Sequence, residues 1–88
     1  MNFVDRGYAI LTRNEDGSNT VAIASGMDNG EPTNVIAKHV GVRDVRVDPG
    51  VTLRESGSRS YTAQIVEVSP AGGALRVRAL RADESLTL

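Results

Sequence analysis

The chain has no cysteine and no tryptophan, and only one Phe and two Tyr. Without thiols there are no disulfides and no cysteine-based zinc sites. The staples that hold the smallest secreted scaffolds together are missing too. So few aromatics leave the core to Val, Ile, Leu and Ala. Lysine is scarce as well: Lys38 stands alone, and the remaining basic residues are arginines. There is no basic excess, because 10 Lys and Arg stand against 11 Asp and Glu, a net charge of −1. Proteins that coat phosphate backbones normally carry a clear positive balance, so nucleic acid is not an expected partner. No apolar run approaches the roughly 18–20 residues that span a bilayer as a helix. The opening Met1-Asn2-Phe3-Val4-Asp5-Arg6 lacks the basic and apolar regions of a signal peptide, so the cytoplasm is the expected place of synthesis.

What the chain does have is short β-rich runs divided by turn residues. Its 88 residues suffice for one core, so a single β domain over 1–88 is expected. Tyr8–Arg13 and Thr20–Ala24 flank Asn14-Glu15-Asp16-Gly17-Ser18-Asn19, which predicts a hairpin with a slightly long loop. Ser25–Pro32 follows as a polar loop with two glycines. Thr33–Val40 is ambiguous. Thr33 as N-cap and Gly41 as C′ residue would frame a short helix, whereas Val35, Ile36 and Val40 favour a strand or one irregular turn. Val42–Val47 predicts a strand with Val45 and Val47 on one face, and Val51–Arg54 another. A long hairpin, 60–69 with 74–81, closes the pattern around the loop Pro70-Ala71-Gly72-Gly73. Placing Ser69 opposite Ala74 sets Val66, Val68, Leu75 and Val77 on one face and Glu67 opposite Arg76 on the other. Ile65 falls out of phase with Val66, which predicts a bulge there. About six short strands in a small barrel or sandwich is the expected fold, mainly β.

No group of residues assembles into a catalytic set, and the expectation is that the protein is not an enzyme and uses no cofactor or metal. His39 is the only histidine, and no cysteine or suitably spaced carboxylate accompanies it. An ordinary structural or surface histidine is the expectation. Asp28-Asn29-Gly30-Glu31 lacks the alternating acidic ligands of a calcium loop and reads as a turn. Gly26, Gly30, Gly72 and Gly73 fit neither a phosphate loop nor a dinucleotide fingerprint. Ser56, Ser58 and Ser60 lack a nucleophile elbow. Arg76 and Arg78 put a basic stripe on the last strand. Single-strand binders pair such a stripe with exposed aromatics, and none lies in this strand.

From Asp48 the chain reads Asp-Pro-Gly-Val-Thr-Leu and a polar turn. It continues Tyr61-Thr62-Ala63-Gln64-Ile65-Val66-Glu67-Val68-Ser69-Pro70, then Gly72-Gly73 and Ala74-Leu75-Arg76-Val77-Arg78-Ala79-Leu80. This resembles the C-terminal half of the small β-barrel joining proteins of tailed bacteriophages. There a Gly-x-Thr-Leu strand leads over a turn into a long hairpin with a Ser-Pro-x-Gly-Gly type tip. The resemblance covers residues 48–80 and implies a virion subunit of head–tail joining, tail or capsid-decoration type. It implies localisation in the virion after synthesis in the host cytoplasm. It further implies that function is assembly, with the chain itself and other virion proteins as partners. The interface candidates are Phe3 and Val4 in a terminal arm over 1–6, Leu86 and Leu88 in an arm over 82–88, and Arg76 and Arg78 on the last strand. A small anti-defence inhibitor of a host protein is the alternative, and a nucleic-acid-binding barrel a more distant third.

Overall fold

A computed structural model describes residues 3–80 of the chain. Eight strands form within them and no helix. They are β1 (Asp5–Arg13), β2 (Asn19–Asp28), β3 (Glu31–Val42), β4 (Val45–Val47), β5 (Leu53–Ser56), β6 (Arg59–Thr62), β7 (Val66–Ala71) and β8 (Ala74–Ala79). The strands form one sheet in the order β3-β2-β1-β7-β8-β4, with β6 also paired to β1 and β5 to β6. The domain is mainly β, as expected, but the sheet stays open rather than closing into a barrel.

The sheet forks at β1. One edge of β1 pairs with β2 from Tyr8 to Arg13. The other is shared: Asp5–Gly7 pair with β7, and Ile10–Thr12 with β6. Gly7 sits at the fork. A Cβ there would lie 2.5 Å from the Ala24 carbonyl oxygen and 2.8 Å from Ile23 Cγ2, so β1 and β2 approach this closely only over a glycine.

The inner face of the curled sheet holds the main core. Ala9, Val21, Ile23, Val66, Val68, Leu75 and Val77 are buried together, with Phe3, Leu11, Val42, Val45 and Val47 packed around them. β2 is buried on both sides: Val21 and Ile23 face this core, and Ala22 and Ala24 join a second cluster with Ile10 and Tyr61. Within β2 the larger side chains therefore face the main core and the alanines the other side. Thr62 is also fully buried, and its Oγ1 accepts a hydrogen bond from the Ala9 N–H at 2.9 Å. That N–H would otherwise be a buried donor without a partner.

The first hairpin forms as expected, closed by Asn14–Ser18 with Gly17 at φ 88. The polar stretch 25–32 is not a loop. β2 and β3 meet at a two-residue turn in which Asn29 and Gly30 both have positive φ, 52 and 79. This is the primed turn geometry that matches the twist of a hairpin. It makes 31–42 one strand, which settles the ambiguous segment as β3 and excludes the helix.

The last hairpin keeps its buried face but shifts its register by two residues. Gly72 and Gly73 alone make the turn, at φ 58 and 85, so Ala71 pairs with Ala74 and Val68 with Val77. A shift of two preserves the side-chain period, and Val66, Val68, Leu75 and Val77 remain inside. The expected partner of Glu67 changes from Arg76 to Arg78. Pro70 is drawn into the strand, beyond Val66–Val68 where β7 pairs with β1, so its missing N–H removes no bond to that neighbour. The first arm also divides: the chain bends at Ala63-Gln64, separating β6 from β7 where the bulge was expected. These differences raise the strand number from about six to eight. β4 lies parallel to β8, and the ladder is extended by Leu75 N–H to Asp44 O and Asp48 N–H to Val77 O, both 2.9 Å.

Candidate interaction surface

The sequence-level candidates fall in different places. Phe3 is partly buried against the inner core, and its ring stacks on His39 with centroids 4.3 Å apart and planes 14° from parallel. Val4 beside it is 60% exposed. Leu86, Leu88 and the arm over 82–88 lie outside the described residues.

His39 has a carboxylate companion after all, supplied by tertiary structure rather than by chain spacing. Its Nε2 lies 2.8 Å from Asp5 Oδ2. Together with the Phe3 stack, this contact ties β3 to the start of β1, a strand with which it shares no ladder. Among the described residues no three His, Asp or Glu side chains gather into a metal-sized cluster.

Arg76 and Arg78 are both committed to carboxylates. Arg76 grips Asp48 with two bonds, Nε to Oδ1 at 3.1 Å and Nη2 to Oδ2 at 2.6 Å. The hydrogen bond from Arg76 holds the Asp48 carboxyl below the usual carboxylate range, and Asp48 in turn raises the Arg76 guanidinium. Arg78 and Arg6 approach Glu67 from its two sides, at 3.2 and 3.1 Å. The row Arg6–Glu67–Arg78 follows the pairing of β1, β7 and β8. The stripe is thus part of a cross-strand charge lattice, with carboxylates where a phosphate contact would have to be made.

The β6-β1-β2-β3 part of the sheet carries features that the sequence reading missed. Across β6, β1, β2 and β3 lies a shallow cleft of about 480 Å³. Its floor is Ile10, Ala22 and Val35, Thr12 and Thr20 add hydroxyls, and Lys38 and Arg59 stand on its flanks. β3 forms the edge beside it and leaves Val35, Ile36 and Val40 exposed by 53%, 52% and 71%. The signal for these residues was the Asn29-Gly30 dipeptide. Two strands flanking Asn-Gly make a hairpin, and that places Val35, Ile36, Lys38 and Val40 on an outer strand.

The β3 edge is long but not a clean template. The register with β2 slips between Asn19 and Val21 and again between Ile23 and Ala24, each time with one extra residue on β3. Asn34 and Gly41 adopt positive φ, and Pro32 lacks an N–H. Such bulges and prolines interrupt the hydrogen-bond row another strand would need. Apolar side chains are thus presented on an edge that resists open-ended strand addition. No protein family model, curated protein or solved structure matches the chain.

Proposed function

We propose that the protein is a non-enzymatic structural or adaptor subunit of a tailed-phage virion, working through assembly with its own copies and with other virion proteins. One observation carries the assembly reading: the 12-residue edge strand β3 exposes Val35, Ile36 and Val40. Burying a Val or Ile side chain completely is worth roughly 1.5–3 kcal/mol, so a neighbour that covers three of them gains useful affinity. The opposite edge differs. β4 has three residues and is flanked by Asp44–Arg46 and Asp48–Arg76 ion pairs, which discourage pairing. The β4 edge is guarded by charge and the β3 edge offers apolar side chains, an asymmetry suited to a specific contact. The likeness of residues 48–80 to phage joining proteins supplies the virion setting. Carboxylates on Arg76 and Arg78 weigh against a nucleic-acid role for that strand.

The test is the solution mass of the wild-type chain beside Val35→Ser/Ile36→Ser/Val40→Ser. The expected result is a defined oligomer that the triple variant loses while keeping its β-sheet circular dichroism. Rings or closed lattices in negative-stain images of the wild type support the virion role. A wild-type monomer at all concentrations overturns the reading.

A further inference from the structure

We infer that the cleft across β6, β1, β2 and β3 receives the acidic-apolar segment Asp83-Glu84-Ser85-Leu86-Thr87-Leu88 of a second copy. The inference rests on the assembly reading and names the contact that performs it. Its first basis is charge. Lys38 and Arg59 line the cleft, and neither makes an ion pair among the described residues. Two cations without counter-charges over an apolar floor fit a ligand with carboxylates beside apolar side chains. Asp83 and Glu84 followed by Leu86 and Leu88 have that composition. The second basis is shape. The floor is Ile10, Ala22 and Val35, with small Ala22 at its centre, which leaves room for a branched side chain. The third is length. β6 and β3 are three strand spacings apart, about 14 Å, and six extended residues reach about 20 Å. Long Lys and Arg side chains extend over the cleft from either flank.

The experiment is sedimentation velocity over a concentration series at low salt, on the full chain. The variants are Lys38→Glu/Arg59→Glu, Asp83→Lys/Glu84→Lys, and all four together, each checked for fold by circular dichroism. Each charge-reversed pair is expected to weaken self-association by about tenfold or more, with the fourfold variant recovering most of it. Wild-type association is expected to fall as salt rises. Assembly that neither pair alters removes the cleft as the docking site and leaves the assembly reading standing. A wild-type chain that never associates removes both. Methyl NMR of the wild type and Leu86→Ser/Leu88→Ser decides which copy supplies the segment. Shifts at Ile10 and Val35 that appear only in the oligomer support the inference. The same shifts in a monomer, independent of concentration, place the segment on its own sheet and overturn the docking between copies.

Discussion

Two residues show how single atoms govern this sheet. Gly7 lets β1 pass within contact of β2 at the fork, and the atom that a Cβ would meet first is a backbone oxygen. A backbone group cannot swing aside as a flexible side chain would. Gly7→Ala is therefore expected to cost about 1–3 kcal/mol, the range of an overpacked core. Gly26→Ala is the control, because its Cβ would meet nothing nearer than Thr33 Oγ1 at 3.6 Å. Thermal melts should separate the two variants by several degrees, and equal melting temperatures would contradict the account of the fork. Asp48 makes the second case. Its carboxyl is held below its ordinary value by Arg76, so the unfolded chain takes up the proton first as pH falls. The stabilisation is complete above the unfolded pKa of about 3.9 and is lost as pH drops through the lower folded value. Melting temperatures of wild type and Asp48→Asn should differ by a constant amount from pH 7 to about pH 5, and converge in acid. A gap that widens below pH 4 would have the wrong sign. Asp16, lowered by the hydrogen bonds it accepts from the Ser18 hydroxyl and N–H, follows the same direction.

The strands differ in how far their sequence discloses them. The first hairpin was legible because Asp16-Gly17 sits between two β-rich runs. The last hairpin was legible in its face but not its register. Period-two alternation places Val66, Val68, Leu75 and Val77 together under either pairing. Only the choice between a four-residue and a two-residue turn separates Arg76 from Arg78 as the partner of Glu67. Two adjacent glycines with positive φ favour the shorter turn. Leu75→Ala should cost on the order of 2–4 kcal/mol in urea denaturation, and a loss below about 0.5 kcal/mol would mean that this face is not the core. The Asn29-Gly30 turn was hidden by the polar residues around it. With it went the extent of β3, and so the exposed Val35, Ile36 and Val40. The fork of β1 and the Asp5–His39 contact were not legible at all, since both join residues distant in sequence. Lys38 and Arg59 likewise line one cleft only because β3 and β6 lie on either side of β1 and β2.

At the scale of the molecule, the open sheet divides its surface by chemistry. Over the start of β1 with β7 and β8, the outer face is a lattice of paired charges, Arg6–Glu67–Arg78 with Asp48–Arg76. Over β6, β1, β2 and β3, it is an apolar cleft ending at an edge strand with exposed Val and Ile. The paired face suits contact with solvent, and the apolar side suits a partner. A small domain that left such an edge unused would gain nothing from its exposure, and assembly would add to its stability by mass action. The most direct test of this account is the native mass of the wild-type chain by sedimentation velocity, read across a range of concentrations. The account predicts a defined oligomer that Val35→Ser/Ile36→Ser/Val40→Ser reduces to a folded monomer. A wild-type chain that remains monomeric throughout, or an oligomer unchanged by the triple substitution, would contradict it.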